Sequence, residues 1–297
     1  MPLTRRHVLA GMGALVVTSC APGPEVNEPS AETPKPTQAP GVSALSTAVS
    51  ELSRAITLQE DPWRSAALAQ AGAWQARLLA ADPLTGGEAI FPESSPSPSP
   101  SAGSSVTPAV QLVSEAATEA LSGTEDQPMR LFHLSILLGV TGLADLNSLP
   151  AETTDEPTRY PAVAADAALG VALSHVWTLL QAIEKGLGVI PAKDPEHEAL
   201  LARHTGLKGL RDRLIAALGA NRPRQDGHYD VPAVTDTASV RAARAELELR
   251  LLDGLAGVVA ATGTTGEEDW LADATAQVVQ VQGQGGRLPR WPGWVKS

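Results

Sequence analysis

Residues 163–187, VAADAALGVALSHVWTLLQAIEKGL, decide the fold that we expect of this chain. Apolar side chains recur here every three to four residues, which is the period of an α-helix with one buried face. His175 lies inside the broad apolar arc, between Ala172 and Leu179. The predicted inward face consists of Leu169, Ala172, Val176, Leu179, Ile183 and Leu187. The stretch is therefore predicted to be a long core helix that carries one histidine.

Three further stretches with helical period follow, at residues 194–218, 237–262 and 266–281. Asp194 and Asp236 stand where helix N-caps are expected, and Gly219 suits the left-handed end of a helix. Short turns join the first pair and the last pair of helices, whereas residues 220–236 form a longer connection. Four helices joined in this way predict an all-α, antiparallel four-helix bundle in the C-terminal half.

The first half of the chain also shows helical period, at residues 43–59, 63–81, 109–121 and 128–146. Residues 83–107 include alternating serine and proline, which cannot continue a helix, so they predict a flexible loop. The polar segment 147–161 is either a domain boundary or a crossover within one body. We expect the helical region 43–148 to pack against a bundle at residues 163–294, because neither half shows a sign of closing independently.

The N-terminus has the features of an export signal. Arg5 and Arg6 precede a short apolar run, and small residues lead into Cys20, as in the lipobox of bacterial lipoproteins. Residues 1–19 are therefore predicted to be a lipoprotein signal peptide, by either the twin-arginine or the general export route. Residues 20–42 are rich in Pro, Glu, Ser and Thr and predict a disordered tether. We expect the protein on the outer face of the cytoplasmic membrane, anchored through lipid on Cys20.

The composition of the mature chain limits its chemistry. Removal of residues 1–19 removes Arg5 and Arg6, which leaves 20 of the 22 basic residues against 33 acidic ones, a net charge of −13. Phosphate backbones repel such a surface, so nucleic acid is not an expected partner. Cys20 is the one cysteine in the sequence, and its acylation would leave no thiolate for catalysis or metal binding.

Several short motifs in the second half resemble a known family. They are Ala172-Leu173-Ser174-His175, the helix around His204, the segment 227–236 (GHYDVPAVTD) and the tail 290–294 (RWPGW). Over residues 168–294 the chain is similar to a ferritin-like domain of unknown function found in actinobacterial secreted lipoproteins. This resemblance implies a ferritin-like bundle and a lipoprotein context, and it implies no established activity.

A di-iron centre is not expected in this bundle. Ferritin-like iron sites need carboxylates and two Glu-x-x-His pairs that project into the bundle, and the sequence contains no Glu-x-x-His. Ser174 stands where related family members commonly have a glutamate before the histidine. The nearest substitute, Asp194 and His197, falls in a first helical turn, where the pair is typical of helix capping.

Four polar residues remain as a candidate buried site: His175, His204, Arg211 and Glu248. They lie at or near the apolar faces of three predicted helices, so they converge if those helices face one interior. We interpret them as a mutually satisfied polar network that sets helix register. The alternative is a weak site for a single transition metal, such as zinc or copper, with two nitrogen ligands and one oxygen ligand.

The predicted function is a binding or structural module of the cell envelope rather than an enzyme. No Gly-x-Ser-x-Gly elbow is present, and the serines cluster in linkers. No catalytic residue and no cofactor are therefore expected, and the partner, an envelope protein or a small molecule, is not identified. The alternative is a metal-binding or oxidoreductase-type protein that uses His175, His204 and Glu248.

Overall fold

The computed structural model describes residues 41–89, 105–264 and 269–294, and this part of the chain is predominantly helical. Its eight α-helices are α1 (Val42–Ile56), α2 (Trp63–Leu78), α3 (Val106–Ser122), α4 (Gln127–Leu143), α5 (Ala165–Val189), α6 (Pro195–Leu218), α7 (Thr237–Thr262) and α8 (Trp270–Gly283). Each coincides within a few residues with a predicted helix, so the all-α prediction is confirmed. The predicted signal peptide, with Arg5, Arg6 and Cys20, and the predicted tether up to residue 40 lie outside the described residues.

One local prediction was wrong. Residues 83–107 were expected to form a loop, but Ala80–Asp82 and Gly86–Ala89 pair as an antiparallel hairpin, β1 and β2. Gly86 and Gly87 have φ values of 81° and 113°, which residues with a side chain rarely adopt. Helical periodicity alone did not reveal this turn. Residues 90–104, which hold the serine–proline repeats, lie outside the described residues.

Helices α5 to α8 pack around one another in a defined set of directions. Gly186 of α5 lies against Leu200 of α6 and Val240 of α7, and the other end of α5 lies against Gly254. Helix α5 therefore runs antiparallel to α7. Helix α6 runs parallel to α7, because Glu196 and Arg203 of α6 meet Arg244 and Glu248 of α7 in the same order. It runs antiparallel to α8, because Arg203 and Arg213 meet Gln277 and Asp273 in the reverse order. The long connection after α6 carries the chain back to start the parallel helix α7.

The helices of the first half share the core of the second half. Helix α1 packs on α2 and α3, α3 packs on α4, and α4 packs on α7 and α8. The indole Nε1 of Trp74 donates to the carbonyl of Arg290 at 3.0 Å, and Phe132 stacks on Trp291 with ring centroids 5.5 Å apart. The described residues consequently belong to one compact unit.

Helix α5 is the one described helix long and apolar enough to cross a membrane, with a mean hydropathy of 1.2 over 18 residues. Most of that stretch is buried inside the protein, where α5 packs on α6 and α7. The same length and composition are expected of a central core helix.

Candidate functional site

A buried ion-pair network lies between α6, α7 and α8, and we call it the polar core. Its residues are Glu196, Arg203, Arg244, Glu248 and Gln277. Glu248 is fully buried, and Arg203 donates two hydrogen bonds to its carboxylate, from Nε at 3.0 Å and from Nη2 at 2.6 Å. Gln277 donates to the same carboxylate at 2.7 Å and accepts from Arg203 at 2.7 Å. Such paired, charge-assisted contacts are among the strongest in proteins.

A second guanidinium completes the charge balance of the polar core. Arg244 donates to Glu196 at 2.8 Å, and its Nη2 lies 3.8 Å from Glu248. Burial lowers the pKa of Arg244, and the charges of Glu248 and Glu196 oppose this shift. Within the polar core two guanidiniums therefore face two carboxylates, and the exposed Arg241 also pairs with Glu196 at 3.2 Å. The carboxylate oxygens are thus already engaged by cationic or amide donors. The polar core is built to hold helices together.

The four residues predicted to form a buried site have different surroundings. Glu248 belongs to the polar core. His204 Nε2 lies 3.2 Å from the exposed Glu184, and Arg211 pairs with the neighbouring Asp212 at 2.8 Å. His175 lines a separate groove. In the described part of the chain, no three histidine, cysteine, aspartate or glutamate side chains cluster as metal ligands would.

Arg211 and His204 were predicted on the apolar stripe of their helix, and the structure places both half-buried at the edge of that stripe. The buried face of α6 is Leu200, Leu207, Leu210, Leu214 and Leu218, and Arg203 completes its period of three and four residues. Residues 204 and 211 follow this stripe by one position and stand at its edge. Arg203 could thus have been found from the sequence as a charged residue at a core position of its helix. The same holds for Arg244, which lies between the buried Val240 and Leu247.

The second feature is a groove of about 970 Å³, which we call the α5–α7 groove. Segment 154–163, the first half of α5 and the second half of α7 form its walls, and Gln127 and Leu131 of α4 and the tail at Gly293 and Trp294 complete the lining. Gly257 has open space beside its Cα, whereas a Cβ on Gly254 would meet His175 at 2.9 Å. Small residues on α7 therefore bring α5 close at one point and leave the groove open at the next turn.

Asp253 is the unusual residue of this groove. Its Oδ1 accepts one hydrogen bond, from the backbone N–H of Gly293 at 3.1 Å, and no ion pair joins it among the described residues. Burial raises the pKa of Asp253 to about 7, which the Gly293 hydrogen bond only partly opposes. A largely buried carboxyl without a cationic partner is a frequent mark of a functional site. The sequence placed Asp253 on the polar side of α7, so this residue was missed.

His175 and Tyr160 add two more titratable groups to the groove. Burial, followed by the charge of Arg250, lowers the pKa of His175, so the imidazole is neutral at pH 7. Burial raises the pKa of Tyr160 to about 12, which keeps its hydroxyl protonated. The Tyr160 ring meets the Trp294 ring edge to face, with centroids 5.7 Å apart. The groove thus combines an aromatic corner with a neutral imidazole and a titrating carboxyl.

The wall formed by segment 154–163 is fixed in place at both sides. Gln127 donates to the carbonyl of Val163 at 3.0 Å and accepts from its N–H at 2.5 Å. Arg159 pairs with Asp126 at 2.9 Å, and Glu156 pairs with Arg77 at 2.9 Å. The groove is therefore a formed feature of the fold, as is usual for small-molecule sites.

No protein-family model, no curated protein and no solved structure matches this chain. The polar core and the α5–α7 groove are therefore interpreted from their own chemistry.

Proposed function

We propose that this protein is a lipid-anchored binding module of the cell envelope, which takes up a small molecule in the α5–α7 groove. The observation that carries the proposal is the groove itself, with a volume of about 970 Å³, largely apolar walls and a half-buried Asp253 that has no cationic partner among the described residues. Large apolar pockets with a few converging polar groups are the usual form of ligand sites. The proposal assigns no catalytic step.

We further propose that α5 to α8 are a ferritin-like four-helix bundle. The support comes from helix directions. Helix α5 is antiparallel to α6, because Glu184 meets His204 and Gly186 meets Leu200, and it is antiparallel to α7 as well. The parallel helices α6 and α7 are joined by one long crossover. A single long crossover of this kind is characteristic of ferritin-like bundles. The sequence motifs around His175 and at residues 290–294 support the same family.

The interior of this bundle does not suit a di-iron centre. Arginine has no electron pair to offer a metal, and two guanidiniums stand between the helices beside Glu248 and Glu196. The reduced metal site considered from the sequence would need His175, His204 and Glu248 together, and these residues have separate surroundings. The proposed function therefore uses the bundle as a frame and places the ligand in the groove.

A substitution at Gly257 tests the groove as a binding site. The neutral fluorophore N-phenyl-1-naphthylamine is titrated into the folded, soluble protein lacking residues 1–20, and one saturable site is expected. Gly257→Leu should abolish this binding, because its side chain enters the groove. Gly209→Leu is the matched control, since Gly209 is an exposed helical glycine with open space around it. No saturable binding to the wild type, or equal binding to Gly257→Leu, contradicts the proposal.

The lipid anchor is tested separately. Intact-mass analysis of the membrane fraction, with labelled fatty acid, should show acylation of the wild type and its loss in Cys20→Ala. An unacylated wild-type chain would overturn the proposed anchor and leave the groove proposal untouched.

A further inference from the structure

Resting on the proposed function, we infer that the α5–α7 groove binds organic ammonium ions, with the apolar body along the groove walls and the protonated amine at Asp253. This assignment follows from the charges, the aromatic groups and the pairing of the residues that line the groove.

The lining has the charge expected for a cationic ligand. Among the residues that the structure describes, it contains three acidic residues, Asp155, Glu156 and Asp253, and no lysine or arginine. Glu156 is engaged by Arg77 at 2.9 Å and lies 3.8 Å from Arg290. Among the described residues no cation pairs with Asp253, and the hydrogen bond that its carboxyl accepts comes from the Gly293 backbone. An anionic ligand would meet these carboxyls and, among the described lining residues, no basic side chain, so its binding is disfavoured.

The walls suit the rest of such a ligand. Leu131, Val163, Val171 and Ala168 supply apolar surface, and Val171 is 52% exposed although it lies on a core helix. Tyr160 and Trp294 form the aromatic corner, and aromatic faces attract ammonium groups. The lowered pKa of His175 keeps its imidazole neutral, so His175 does not form an ion pair with Asp253.

The state of Asp253 makes the binding depend on pH. The titratable groups that line the groove with Asp253 are His175 of α5 and Tyr160, Asp155 and Glu156 of segment 154–163, and the charge of Arg250 acts on His175. In the free protein the carboxyl titrates near pH 7. Below this pH an ammonium ligand must first displace a proton, so its affinity rises as the pH increases through 7 and then levels.

Three probes of one shape separate charge from shape: 4-phenylbutylamine, 4-phenylbutanol and 4-phenylbutyrate. Calorimetric titration at pH 8 should give the tightest binding for the amine, roughly tenfold tighter than for the alcohol, as for a charge-assisted hydrogen bond. The carboxylate should bind most weakly. Asp253→Asn should reduce amine affinity to that of the alcohol, and the pH dependence should disappear. Asp212→Asn, at an exposed site paired with Arg211, is the matched control and should change neither.

The outcomes distinguish the two proposals. Binding of the neutral fluorophore without a preference for the amine, or an amine preference that survives Asp253→Asn, overturns the ammonium assignment alone. Failure of both the fluorophore and the amine overturns the binding function together with it. Thermal unfolding of Asp253→Asn, followed by circular dichroism, verifies that the variant is folded before affinities are compared.

Discussion

The polar core and the α5–α7 groove both bury charged groups on α7, but they treat these groups in opposite ways. In the polar core, Glu248 is fully buried and held by Arg203 and Gln277. In the groove, Asp253 has one backbone hydrogen bond and a pKa raised to about 7. The ion pair of Glu248 links neighbouring helices, whereas the carboxyl of Asp253 has no such partner among the described residues and can accept one from a ligand. The two carboxyls stand five residues apart on one helix, so the difference lies in their neighbours.

The largest expected effect is the loss of Glu248. Glu248→Ala should lower the free energy of unfolding by about 3–5 kcal/mol, because the largely buried Arg203 loses its counter-charge and Arg244 keeps only Glu196. Urea denaturation at pH 7 measures this change. Glu246→Ala is the control on the same helix: it removes an exposed pair with Arg250 and should cost less than about 1 kcal/mol. Equal losses in the two variants would show that the polar core has no structural role.

The close approach of α5 and α7 at the groove should give the next largest effect. Gly254→Ala places a Cβ 2.9 Å from the His175 ring and 3.1 Å from the Ala172 backbone, so we expect a loss of about 1–3 kcal/mol. Gly257→Ala, one turn later, meets open space and should instead stabilise the protein by about 0.5–1 kcal/mol. Thermal denaturation of the two variants measures the contrast, and a change of the same sign in both would contradict the close contact of α5 and α7 at Gly254.

The unpaired state of Asp253 predicts a pH-dependent stability. Burial raises the pKa of Asp253 in the folded state. The contribution of this group to the free energy of unfolding is therefore greatest below its unfolded pKa near 4 and is lost as the pH rises through about 7. Asp253→Asn does not titrate, so at pH 8 it should be more stable than the wild type by about 1–2 kcal/mol, after allowance for partial exposure. At pH 4 the two proteins should have nearly the same stability. A constant difference across this pH range would contradict the raised pKa.

The smallest effect is expected for the histidine at the edge of the bundle. His204→Ala removes a contact with Glu184, whose side chain is 62% exposed, and should cost less than about 1 kcal/mol at pH 6. Chemical denaturation with Leu207→Ala as the reference completes the test, because loss of that buried leucine should cost about 2–5 kcal/mol. A His204 variant as unstable as the Leu207 variant would restore His204 to a buried site.

The helices were predictable because their signals are local. The apolar period of α5 and the capping residues Asp194 and Asp236 act within a few residues of the chain. The identity of Glu248 as a buried group was also predicted, since leucines surround it on its helix. The partners of Glu248 were not predicted. The sequence shows only that Arg203 falls on the apolar stripe, and a long arginine side chain can extend either into the core or out to solvent from such a position.

By itself, therefore, the sequence determined the all-α class, the approximate helix bounds and the burial of a charge on α7. Tertiary structure alone decided which charges are paired and where a cavity remains. The α5–α7 groove draws on α4, segment 154–163, α5, α7 and the tail at 293–294, which lie up to about 170 residues apart in the chain. Asp253 stands on the flank of α7, and helical period predicts a solvated side chain there. The tail and segment 154–163 cover that flank, and their burial of Asp253 depends on contacts that no local pattern encodes.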